Sequence, residues 1–161
     1  MGYDVLEVCR HVINYSNEKE YGISNLKLQK VLYFIQAYFL IDKTKNAPCF
    51  DDKIEAWNFG PVVPAAYHEY KQYGSGDIPT IDSYIIFDTD NIWDTERVKF
   101  NDDVITDEDK KRINKVVDKF SGYSATDLVA ITHRQSPWMD AYAPYKNNEI
   151  TLDAIKEYFN A

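Results

Sequence analysis

The 161-residue chain has only two cysteines, Cys9 and Cys49, too few for a disulfide framework and not part of any C-x-x-C pair. Both read as reduced thiols packed as small apolar residues. The six glycines give Gly74-x-Gly76 but nothing resembling G-x-G-x-x-G or a P-loop, so the glycine-rich route to nucleotide phosphates is missing. No H-E-x-x-H and no Cys/His zinc spacing occurs, and neither a metal nor a cofactor is expected. Long hydrophobic runs are missing too. The longest apolar stretch, Leu26 to Ile41, is interrupted by Lys27, Gln29, Lys30 and Gln36 and makes a poor membrane span. No basic leader with a small-residue cleavage site opens the chain, which leaves a cytoplasmic protein as the expectation.

Positive charge is in short supply, with 18 Lys/Arg against 26 Asp/Glu and a net charge of −8. Asp77 to Asp109 holds eleven acids against Arg97 and Lys99, so this segment accounts for the whole excess. Nucleic-acid affinity comes largely from Lys and Arg displacing counterions, so an acidic chain of this kind is expected to bind no nucleic acid. Basic or amphipathic protein partners fit better. Asp88, Asp90 and Asp94 briefly resemble a calcium loop, but Ile92 takes a ligand position, Trp93 the glycine position and Lys99 the final glutamate position. The acidic run therefore reads as solvated surface. Tyrosine is plentiful, at thirteen residues, which suits either a wet protein interface or the rim of a small core.

Val5, Val8, Cys9, Val12 and Ile13 form the stripe of a first helix, with Asp4 and Glu7 where its dipole favours acids. Ser24 opens the strongest element, a helix over about 24–41 whose apolar residues run almost full circle, as expected of a buried central helix. Lys53 to Trp57 is short and alternating, a strand or extended segment. Pro61 and Pro64 bar a helix interior, but Pro64 suits a first helical position and Gly74 a left-handed stop, which brackets a helix over 65–73. Residues 80–100 turn to β-branched and aromatic types, two extended pieces about an acidic turn near Asp88 to Asn91. Thr106 to Asp109 resembles a capping box, Ser124 to Asp127 opens another helix, Ser136-Pro137 looks like an N-cap and first position, and Thr151 caps a last helix. The expectation is a mainly α fold, a compact single helical domain over 1–161 around helix 24–41, with a small β element at about 53–58 and 80–100 and an acidic segment at about 77–109.

Three histidines could pair with an acid in space. His11 reads as a partly buried structural imidazole and His68 as a surface residue. His133 lies between Thr132 and the Ser136-Pro137-Trp138 turn, where its ring could hold a freed backbone group. A hydrolase centred on His133 remains an alternative, although no nucleophile sits at a strained turn beside it. Tyr67, Tyr70, Lys71 and Tyr73 share the short helix after Pro64, with Tyr70 and Tyr73 at i, i+3, either a partner-binding stripe or the rim of the core.

Leu28 to Ala37, then Ile54-Glu55-Ala56-Trp57-Asn58-Phe59-Gly60-Pro61-Val62-Val63-Pro64-x-x-Tyr67, then Ser124 to Leu128 leading to Thr132-His133-x-x-x-Pro137-Trp138, and the closing Ile155 to Phe159, resemble the SocA-like Panacea domain in order. The resemblance implies an antitoxin of a toxin–antitoxin pair, from a family also known as phage-associated protein, that neutralises a cognate protein toxin by direct binding. The founding member is an adaptor that delivers its toxin to the ClpXP protease, so a ClpX/ClpP partner is the alternative. The resemblance does not settle whether the chain forms a homo-oligomer. The matched residues Gln29, Lys30, Tyr33, Trp57, Gly60, Pro61, Pro64, Thr132, His133, Pro137 and Trp138 have the chemistry that fixes a turn against a core. Toxin contact would then fall to Tyr67, Tyr70, Lys71 and Tyr73 and to the acidic segment, with Tyr70 and Tyr73 expected on the surface.

Overall fold

A computed structural model describes residues 2–87, 93 and 95–161. Seven α-helices occur among them: α1 (Val5–Glu18), α2 (Asn25–Ile41), α3 (Pro64–Tyr70), α4 (Asp107–Lys119), α5 (Ala125–Thr132), α6 (Ser136–Ala141) and α7 (Leu152–Asn160). The fold is mainly α with small β elements, and among the described residues no helix is long and apolar enough to cross a membrane.

Helix α2 is the hub. It packs against α1, α3, α4, α5 and α7, and thirteen of its residues are buried. That environment explains a nearly all-round apolar sequence, because a helix covered on every side has no polar face to show. Its start is set by Ser24, whose side chain accepts from Lys27 N. Thr106, Ser124 and Thr151 cap α4, α5 and α7 in the same way. At Ser124 the box is complete, with Asp127 accepting from the Ser124 N–H. At Thr106 the reciprocal half is missing, because the Asp109 carboxylate is engaged by Tyr3, Lys45 and Arg112 instead.

The β structure is two separate sheets rather than one element. Strand β1 (Ile54–Trp57) lies between β2 (Gly60–Val62) and β5 (Glu149–Ile150), both antiparallel to it. Strands β3 (Ser83–Phe87) and β4 (Thr95–Lys99) form a hairpin of their own. The sequence pattern did not anticipate β5, whose two residues are too few to show alternation. The Asp88, Asp90 and Asp94 comparison lies outside the described residues.

Two expectations need correction. The acidic segment is not simply solvated: Asp109 is buried among Tyr3, Lys45 and Arg112, and Asp102 accepts from His11 Nδ1 at 2.9 Å and pairs with Lys110 at 3.1 Å. The other correction is to the start of α6, where the N-cap is Gln135 and not Ser136. Gln135 keeps an extended backbone, and its side-chain oxygen is already taken by the Tyr33 hydroxyl at 2.7 Å. His11 is buried as a structural imidazole, and Cys9 and Cys49 are buried free thiols whose ionisation burial pushes well up.

Candidate functional site

The polar residues that interrupt the apolar run of α2 are hooks for the loops around it. Gln29 accepts from Val63 N at 3.0 Å while its amide donates to Asn25. Lys30, fully buried, donates from Nζ to Pro61 O at 3.1 Å. Burial pulls its pKa down to about 7, since desolvation disfavours the ammonium form. Gln36 donates to Phe50 O at 2.8 Å and accepts from Cys49 N at 2.7 Å. A buried amide or amine is costly unless it is bonded, and here each of the three side chains takes up at least one backbone group of a neighbouring loop.

Most of these hooks converge on residues 57–63, the turn between β1 and β2. Gly60 adopts a φ of +108°, and a Cβ there would stand 2.7 Å from Lys30 Cε and 2.9 Å from Thr132 Oγ1. The glycine is required twice over, by its backbone angle and by the close approach of α2 and α5. Thr132 is itself buried, its hydroxyl donating back to Leu128 O.

The other side of the turn is held by a stack of three rings. His133 lies 4.1 Å from Trp138 and Trp138 lies 4.6 Å from Tyr142, both pairs near parallel. Each ring donates one hydrogen bond to the turn: His133 Nε2 to Asn58 O at 3.0 Å, Trp138 Nε1 to Trp57 O at 2.8 Å and the Tyr142 hydroxyl to Asn58 Oδ1 at 3.0 Å. His133 thus does what its position suggested and holds a freed backbone carbonyl. Among the described residues no carboxylate is bonded to its ring.

Sequence reasoning missed the residue that this frame displays. Phe59 sits at the tip of the turn and is 61% exposed. Its position between Asn58 and Gly60 was the available signal, because the tip of a two-residue hairpin turn has nothing above it to pack against. Trp57 is only half-buried, and its indole lies over Tyr67 (5.0 Å) and near His68 (6.4 Å). What anchors the turn at Trp57 is its carbonyl rather than its ring. Pro64 and Pro137 occupy the first turns of α3 and α6.

The expected stripe on α3 is corrected at one residue. Tyr67, Lys71 and Tyr73 are at least partly exposed, but Tyr70 is only 4% exposed and its hydroxyl has no hydrogen-bond partner among the described residues. Ala66 and Tyr70 face inward at i, i+4. The backbone then leaves the helix at Tyr70 (φ −112°, ψ 5°) for a tighter 3-10 turn over Lys71–Tyr73, so Tyr70 and Tyr73 do not share a face.

Residues 28–139 match the family described as Antitoxin SocA-like, Panacea domain. A stretch of 71 residues, 44% of the chain, is 38% identical to Antitoxin SocA of Caulobacter vibrioides (strain NA1000 / CB15N) and spans 37% of that protein. No solved structure matches. The matched span takes in α2 from Leu28 onward, the turn at 57–63 and both His133 and Trp138, and the chain belongs to the SocA-like Panacea domain family of antitoxins.

Proposed function

We propose that this chain is a non-enzymatic antitoxin that neutralises a cognate protein toxin by direct binding, with Phe59 as the anchor. The observation that supports the reading most is the exposed Phe59 on a turn whose backbone is fixed from both sides, by Lys30 and Gln29 below and by His133, Trp138 and Tyr142 beside it. A turn whose backbone is fixed before binding loses little conformational freedom on association, which suits the exposed aromatic at its tip to be an anchor. Tyr67 packs edge-on against Trp57, and Lys71 and Tyr73, just past the end of α3, are exposed. Membership of an antitoxin family supports a toxin as the partner in general.

Co-expression with the product of the adjacent gene tests the reading. That product should arrest growth alone, and the wild-type chain should restore growth and co-purify with it. Phe59→Ala should melt as wild type does but bind the toxin at least about tenfold more weakly. A harmless neighbour, rescue without a complex, or full affinity in the Phe59 variant would each defeat the assignment.

A further inference from the structure

The loop between α6 and β5 carries a residue whose backbone and side chain are both out of the ordinary. Lys146 N donates to Ala143 O at 3.2 Å and closes a four-residue turn, with Pro144 second and Tyr145 third. Tyr145 has a φ of +62°. A turn with a left-handed third residue is normally given glycine or asparagine there, because the Cβ of other residues crowds the following carbonyl. Two further residues other than glycine have a positive φ among the described residues, and each has a local reason. Asn46 is of a type that tolerates the angle. Glu20 is the left-handed residue that ends α1, with its own N–H bonded to Asn17 O and that of Tyr21 to Ser16 O. Tyr145 has neither reason.

Packing does not offset the strain. The Tyr145 side chain is fully exposed, and no hydrogen bond or ring contact engages it among the described residues. A strained residue that contributes no contact to the fold points to a contact outside it.

The loop is fastened at both ends to the strand and turn that display Phe59. At its start the Tyr142 hydroxyl donates to Asn58 Oδ1 at 3.0 Å, and the Tyr142 ring stacks on Trp138. At its end Asn148 O accepts from Ala56 N at 2.8 Å, Asn148 Nδ2 donates to Ala141 O at 2.9 Å, and Glu149 and Ile150 pair with β1. Because β5 is antiparallel to β1, the chain traced back from Asn148 heads toward the Trp57 end of β1, where the turn with Phe59 begins. Three residues span at most about 10 Å, which keeps Tyr145 at that end of the β2-β1-β5 sheet.

We infer that Tyr145 is a second contact residue for the toxin, its phenol held out by the left-handed turn to a hydrogen-bond acceptor beside the apolar recess that takes Phe59. The inference rests on the reading of Phe59 as the toxin anchor. A folded protein surface uses both features: one turn presents a purely apolar ring, the other a ring with a polar tip, which suits a contact that stays partly wet. Both rings stand on hydrogen-bonded turns, so binding orders side chains more than backbone. Discrimination between toxins then depends on the spacing of the two rings as well as on their chemistry.

Calorimetric titration of the adjacent gene's product into wild type, Phe59→Ala, Tyr145→Asn and Tyr145→Phe, with thermal melts of each, tests this. Asparagine accepts a left-handed φ, so Tyr145→Asn should melt at or above the wild-type temperature and still bind at least about tenfold more weakly. Tyr145→Phe keeps the ring and the strain and should bind about threefold more weakly through loss of the hydroxyl. Wild-type affinity in either Tyr145 variant overturns the inference, and if Phe59→Ala is weakened in the same series the anchor reading stands without it. No binding by wild type, or wild-type affinity in all three variants, overturns both. A lower melting temperature in Tyr145→Asn would show that the ring fastens its own turn, which overturns the inference as well. A second copy of the chain as the true occupant would give wild-type self-association in sedimentation equilibrium that Tyr145→Asn abolishes while affinity for the gene product holds, and this too overturns it.

Discussion

Replacing Lys30 with methionine isolates the consequence of burying an amine in the middle of α2. Lys30 is fully buried with Pro61 O as its hydrogen-bond acceptor, and burial lowers its pKa from 10.5 to about 7. Between those two values the unfolded chain binds the proton and the folded chain does not, so stability rises with pH across that window. Each pH unit crossed contributes up to about 1.4 kcal/mol, which bounds the gain from pH about 7 to about 9 at about 3 kcal/mol. Below pH about 7 both states hold the proton, and the folded protein carries the full cost of a buried ammonium. In Lys30→Met that dependence disappears, at the cost of an unpaired Pro61 carbonyl, about 1–3 kcal/mol. Urea unfolding of both proteins at pH about 6, 7.5 and 9 measures the difference directly. The thiols of Cys9 and Cys49 are raised by burial, so they contribute stability that is lost as pH climbs above their ordinary value near 9. Both proteins contain them, and the subtraction removes their effect. If wild type gains no stability over Lys30→Met between pH about 6 and 9, Lys30 keeps its proton in the fold and the reasoning fails.

The remaining predictions concern the turn and its neighbours. Gly60→Ala must place a Cβ 2.7 Å from Lys30 Cε at a φ of +108°, and chemical unfolding should show a loss of about 2 kcal/mol or more. Trp138→Phe keeps an aromatic ring between His133 and Tyr142 but removes the donor to Trp57 O, so stability should fall by about 1 kcal/mol and toxin affinity should fall with it as the turn loosens. Equal toxin affinity at unchanged stability would show that the turn needs no such anchor. Tyr70→Phe deletes a buried hydroxyl without a partner, so the melting temperature should hold or rise and toxin binding should not change. A marked loss of affinity would instead return Tyr70 to the contact surface.

The helices and their starts were legible because their determinants are local. The stripe in α1, the near-circular apolarity of α2 and the capping residues Ser24, Ser124 and Thr151 each act within a turn or two of the chain. Partners distant in sequence were not legible. Gln29, Lys30 and Tyr33 could be recognised as motif residues, but their acceptors and donors at Val63, Pro61 and Gln135 lie 34, 31 and 102 positions away. The inward face of Tyr70 escaped for a different reason. Seven residues make about two turns, too few for periodicity to choose a face, and the break in the backbone at Tyr70 shifts the phase of Lys71 to Tyr73. Asp109 read as the far end of a capping box in an acidic segment, and its burial follows from Tyr3 and Lys45 arriving from elsewhere in the chain beside Arg112 of its own helix.

Helix α2 acts as a ruler for the rest of the molecule. Its attachment points at Gln29, Tyr33 and Gln36 fall at i, i+4 and i+7, on one side of a rod that advances about 1.5 Å per residue. The chain segments at Val63, Gln135 and Phe50 are therefore spaced along about 10 Å by helix geometry. One residue inserted between Gln29 and Gln36 would rotate the later hooks by about 100° and release segments far apart in sequence together. The same residue inserted in the 42–48 loop would leave the spacing of the hooks untouched. Tolerance to insertion in this protein is thus set by whether a change alters the phase of α2, more than by how deeply it is buried.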